Sequence, residues 1–184
     1  HRDLHSFPTR RSSDLNIALQ FFEENSDALY LTGRILREKG SSIYEELDYY
    51  LRALRGEGFK TYSTLTVSLS AVELLLRLNL SAEALIILNN LKEKELRAEE
   101  YFIFKVKALI LEGDRISARD ILSKALRVFP ESLGIRILLM ELDQDYLSNY
   151  ITRLLNKTPG TSQNRELILK ALSLTEDLEK KRTI

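Results

Sequence analysis

The chain of 184 residues is 44% hydrophobic and 29% charged, with 27 basic and 27 acidic side chains. It has no cysteine and two histidines, so disulfide frameworks and thiolate nucleophiles are excluded at once. The neutral total offers no overall attraction to nucleic acid or anionic lipid.

The first fifteen residues, HRDLHSFPTRRSSDL, hold both histidines, His1 and His5, and no hydrophobic period. The stretch resembles, residue by residue, the in-frame translation of a common sequencing adapter, so residues 1–15 are expected to be adapter-derived. No apolar core of signal-peptide length follows it, and Arg10 with Arg11 is too little charge for phosphate-driven binding. Setting it aside removes three basic residues (Arg2, Arg10, Arg11) and two acidic ones (Asp3, Asp14), leaving a net charge near −1. Without histidine or cysteine, residues 16–184 cannot build an ordinary zinc site or a Ser-His-Asp triad. No catalytic residue, metal or cofactor is expected. The lack of cysteine suits a reducing compartment such as the cytoplasm, and no apolar run reaches transmembrane length.

From Asn16 onward helix signals follow one another, with Gly and Pro scarce. Phe21 and Phe22 lie on the first helical stretch and read as core. Ser42-x-x-Glu45 has the pattern of a capping box, and Tyr49 with Tyr50 reads as core on the helix it opens. Gly56-Glu57-Gly58 reads as a turn, because a phosphate loop would need a strand before it and Lys-Ser/Thr after it. Arg37, Lys39, Arg55 and Lys60 alternate with Glu38, Glu45, Glu46 and Glu57, the pattern of a solvated face. Leu74, Leu75 and Leu78, then Leu85, Leu88 and Leu91, recur at helical spacing and give one apolar stripe per helix. Asn79 and Gly113 mark turns, with Ser81 and Asp114 as the expected N-caps after them. Pro130 and Pro159 follow helices, where proline is tolerated. Asp143-Gln144-Asp145 has the spacing of a metal-binding acidic pair, but reads as a polar break with Asp145 capping the next helix. The glycosylation patterns at Asn79 and Asn156 are short enough to recur by chance.

Two of these stretches are copies of each other. Gly113, Ala118, Leu122 and Ala125 lie 34 residues beyond Asn79, Ala84, Leu88 and Leu91. This period and pattern resemble the tetratricopeptide repeat family, whose unit is a pair of antiparallel helices. Gly33 and Gly40 hold the family's interval in an earlier unit, and Tyr50, Ala53 and Leu54 follow one residue late, as after a small insertion near Ser41. The resemblance implies an all-α, right-handed superhelix of stacked antiparallel helix pairs, about nine to ten helices in all. Its expected divisions are a repeat remnant at 16–25, repeats at about 26–64, 65–98 and 99–132, and degenerate helices over 133–184. Leu15, Ala18 and Leu19 match the tail of a second helix, so the chain is expected to be a fragment of a longer, metagenomic sequence. Lys105 and Val106 depart from the family's usual apolar and small residues.

The resemblance also implies a function. In this family the first helix of each pair lines a concave groove that binds an extended peptide or a helix. By register, the groove would offer Tyr30, Arg34 and Arg37, then Leu69, Glu73 and Leu76, then Ile103, Lys107 and Ile110. The family's carboxylate-clamp positions hold Leu69, Glu73, Ile103 and Lys107, so that clamp is not expected. An apolar groove with isolated charges favours an amphipathic or apolar segment of a protein partner. The reading is a non-catalytic interaction scaffold that takes no nucleic acid and does not enter a membrane. Its alternatives are an accessory module of a larger enzyme or sensor, and a helical-repeat nucleic-acid binder.

Overall fold

A computed structural model describes residues 25–56, 58–91, 98–155, 165 and 167–175. Among the described residues every regular element is a helix: α1 (Ser26–Glu38), α2 (Ile43–Arg55), α3 (Thr64–Arg77), α4 (Ser81–Asn89), α5 (Glu99–Leu111), α6 (Arg115–Val128), α7 (Leu133–Leu142) and α8 (Gln144–Leu155). A ninth, α9, runs over 167–175. The chain divides into two compact units, His1–Glu95 and Leu96–Ile184. The division falls inside the stretch expected to form the 65–98 repeat. Phe21, Phe22, Pro159 and the sequon at Asn156 lie outside the described residues.

The same local chemistry closes three of the first helices. Gly40, Asn79 and Gly113 have φ of +70°, +57° and +83°, which reverses the chain after α1, α3 and α5. In each case the next N–H reaches back to a carbonyl five residues earlier: Ser41 to Leu36, Leu80 to Leu75, Asp114 to Leu109. Starts are made by side chains. Asn25, Ser63, Asp114 and Ser132 accept the N–H three residues on, and Ser42 accepts that of Tyr44. Two expected caps are corrected. Leu80, without a side-chain cap, precedes α4, while Ser81 is already helical and buried. Asp143, not Asp145, caps α8, taking the N–H groups of Asp145 and Tyr146 at 3.0 and 3.1 Å. Gly58 takes φ +105°, and Glu57 lies outside the described residues.

In the first unit, α1 and α2 pair closely because Gly33 has no side chain. A Cβ there would stand 2.6 Å from the Tyr50 ring. Leu29, Tyr30, Leu47, Tyr50, Val67, Ala71, Leu74, Ala84 and Leu88 fill the core. Tyr49 is only half-buried, with the Arg52 guanidinium 5.4 Å over its ring, so it is not the core residue expected. In the second unit, Val106, Ala118, Leu122, Ala125, Ile135, Leu138 and Leu139 form one cluster, and Met140, Leu147, Leu167 and Ala171 another. Ala84 and Ala118, 34 positions apart, are both fully buried. Arg119 pairs with Asp143 at 2.7 Å, so the acidic break serves a cap and an ion pair.

Candidate interaction surface

In the first unit α1 and α3 are joined by side chains along their lengths. Tyr62 stacks edge-on against Tyr30 near the start of both helices, with centroids 4.7 Å apart. The Tyr30 hydroxyl lies 3.2 Å from Ser70 Oγ. At the far end Arg37 forks, its Nη2 donating to Glu73 at 3.0 Å and its Nε standing 3.1 Å from Glu46 Oε1 on α2. The Glu46 contact is one of charge to charge, without hydrogen-bond alignment. The Arg37 side chain is 42% exposed, whereas that of Glu46 is only 5% exposed. The Glu73 hydrogen bond, opposed by desolvation and helped by Glu46, raises the pKa of Arg37. Burial first, and then the Glu46 carboxylate, push the Tyr50 hydroxyl far above the ordinary phenol value. The Glu46 side chain, almost wholly buried, thus lies beside the Arg37 guanidinium.

In the second unit α5 and α7 meet where Gly134 lacks a side chain. A Cβ there would lie 2.8 Å from Ile103 Cδ1. Ile103 and Ile110 are half-buried against the unit's main cluster. Lys107 is exposed, its Nζ 5.8 Å from the Phe104 ring centre. The unexpected Lys105 spans one turn to donate to the Tyr101 hydroxyl at 2.9 Å.

No family model matches the chain, and no curated protein does. Two solved structures are similar over nearly its whole length. One is a MamA RS-1 double mutant, 14% identical, spanning 94% of this chain and 88% of that one, with a TM-score of 0.63. The other is MamA from residue 41 to its end, from Desulfovibrio magneticus RS-1, 13% identical, over 97% and 88%, with a TM-score of 0.62. The fold is tetratricopeptide-like.

Placed on this tetratricopeptide-like fold, the nine residues expected to line a groove differ in their surroundings. Tyr30 is 5% exposed and packed between Tyr50 and Tyr62. Its position follows from the lack of a side chain at Gly33, which lets the Tyr50 ring lie across α1. Arg37 and Glu73 are brought together and occupied by each other. Arg34 is exposed one turn before Arg37, and Leu69 and Leu76 are half-buried around Glu73. Ile103, Lys107 and Ile110 share α5, where the isoleucines turn inward and the lysine outward.

A shallow cavity of about 190 Å³ lies elsewhere, lined by Asn25, Ser26, Asp27, Gly58, Phe59 and Lys60. Its polar groups largely bind one another. Asp27 accepts three backbone N–H groups and Ser26 accepts a fourth. Sequence reasoning passed over Asp27, whose only local signal is an acid in the first turn of a helix. Among the described residues no group of three or more His, Cys, Asp or Glu gathers as for a metal ion, and no helix is long and apolar enough to cross a membrane.

Proposed function

We propose that the chain is a non-catalytic scaffold that binds an extended or helical segment of a protein partner on the faces of its first helices. The reading is carried by one arrangement. On α3, Leu69 and Leu76 stay half-exposed one turn either side of Glu73, whose charge Arg37 already neutralises. Such a face presents apolar area without a free acid to desolvate, which suits an apolar or amphipathic segment. Arg34 at its edge would contact the polar side of that segment; in the second unit, taken by itself, Lys107 offers an exposed charge on α5. The likeness to MamA, at 13–14% identity, supports the helical scaffold. The partner preference rests on these residues.

A photo-crosslinking amino acid placed at Leu69, Leu76 or Lys107 of the full chain tests the reading in a cell lysate. Discrete protein adducts are expected at these sites and not at Ile116, an exposed second-helix residue. Equal adducts at Ile116, adducts to RNA, or none at all would overturn it.

A further inference from the structure

We propose that in each unit a carboxylate in the first turn of one first helix latches the start of the next first helix and thereby sets its register. In the first unit the latch is Asp27 on α1. It accepts the N–H groups of Lys60, Thr61 and Tyr62 at 2.9, 3.0 and 3.1 Å. Its neighbour Ser26, fully buried, accepts the N–H of Gly58 at 3.3 Å. The held segment runs directly into Ser63, whose hydroxyl caps α3 by accepting the N–H of Thr66 at 3.0 Å.

In the second unit the latch is Glu99 on α5. Its carboxylate takes the hydroxyl of Ser132 at 2.6 Å, and Ser132 caps α7 by accepting the N–H of Ile135 at 3.1 Å. The bonds differ, backbone in one case and side chain in the other. The placement is the same: the partner lies 33 to 35 residues ahead from Asp27 and 33 from Glu99, one repeat on. The first turn of α3 holds no acidic residue, so the device belongs to α1 and α5.

Register needs such a device because apolar burial is nearly indifferent to small slides along a helix. Charge-assisted hydrogen bonds are short and directional. Three successive N–H groups converging on one carboxylate fix where α3 begins, which in turn brings Glu73 to Arg37 at the far end. Glu99 likewise fixes where α7 begins and brings Gly134 under Ile103. Asp27 and Glu99 are thus positioning residues for the first-helix faces, and the proposal stands whether or not those faces bind a partner.

The test uses the full chain with Asp27→Asn and, separately, Glu99→Gln. Asp27→Asn should speed hydrogen exchange of the Lys60, Thr61 and Tyr62 amides by about tenfold or more, the loss expected for bonds to a charged acceptor. Glu99→Gln should do the same at Ile135, whose partner Ser132 loses its anchor. A merely local loss would stop there. A lost register also weakens the distant pair: the coupling between Arg37→Ala and Glu73→Ala should fall toward a ratio of about 1 in the Asp27→Asn background. Unchanged exchange, or full Arg37–Glu73 coupling without the Asp27 carboxylate, overturns the latch. Should Asp27→Asn fail to fold, Glu99→Gln decides: faster exchange at Leu138 and Leu139, beyond the first turn of α7, supports the latch, and a change confined to Ile135 overturns it.

Discussion

Gly33→Ala sets two opposed effects against each other inside one helix pair. In an exposed helix the change would stabilise by about 1 kcal/mol, because alanine is the better helix former. Here the new methyl would stand 2.6 and 2.8 Å from Cε1 and Cδ1 of Tyr50 and 3.2 Å from the Glu46 carbonyl oxygen. The Tyr50 ring is fully buried, and Tyr30 packs on it at 5.1 Å, so it has no open space to move into. The carbonyl belongs to α2 and can yield only if the helix moves. Overpacking of this kind costs about 1–3 kcal/mol, and contact with both a ring and a backbone atom argues for the upper part. The expected net is a loss of about 1–2 kcal/mol. With a urea slope of about 2 kcal/mol per molar, the unfolding midpoint should fall by roughly 0.5–1 M, followed by tyrosine fluorescence and circular dichroism. The loss should shrink in a Tyr50→Leu background, which removes the ring that the methyl meets. A midpoint equal to or above that of the unsubstituted chain would refute the close approach of α1 and α2.

Arg37→Ala leaves Glu46 buried without its cation and should destabilise by about 2 kcal/mol, between the values for exposed and buried pairs. Arg37→Lys should recover only part of this in the same urea titration, since a single ammonium cannot fork to Glu46 and Glu73. Asn79 has φ +57°, so Asn79→Gly should leave stability unchanged or raise it slightly, while Asn79→Ala should cost about 1 kcal/mol in thermal unfolding. Desolvation pushes the Asp27 carboxyl up, but the N–H groups of Lys60, Thr61 and Tyr62 outweigh it and hold its pKa below the ordinary 3.8. A depressed carboxylate adds stability above its unfolded value and loses it as pH falls through the folded value. The urea midpoint should therefore drop on acidification below about pH 4, and Asp27→Asn should flatten that part of the profile.

Most of the fold was legible because local rules and the apolar period agree. The turns at Asn79 and Gly113, the cap at Asp114 and the buried Leu74, Leu75 and Leu88 stand where spacing placed them, whereas Ser42 caps its helix through the N–H of Tyr44 and not through the expected box with Glu45. The misplaced caps, Ser81 and Asp145, show the limit of such rules. Two capping residues stood close together at Asp143 and Asp145, and only the path of the chain chose the first. Tyr49 and Tyr50 were equivalent as letters, yet the helix's rotation put one ring in the core and left the other under Arg52.

The groove was less legible, since exposure is a property of neighbours. Arg34, Leu69, Leu76 and Lys107 remain at the surface, whereas Tyr30 was drawn inward and Arg37 was taken up by Glu46 and Glu73. Nothing local marks Glu46, one acid among several, as the one to be buried.

The sequence by itself determined the helical class, the 34-residue period and the turns that end α3 and α5. Those depend on backbone propensity and on spacing within a few turns, which the residue order contains directly. Tertiary structure alone decided that Asp27 holds a segment 33 to 35 residues away, that Arg37 bridges three helices, and that a polar cluster sits beside an apolar core. Most of those contacts join residues 33 to 36 positions apart. Their partners are chosen only when the helices pack and each buried charge must find its counterpart.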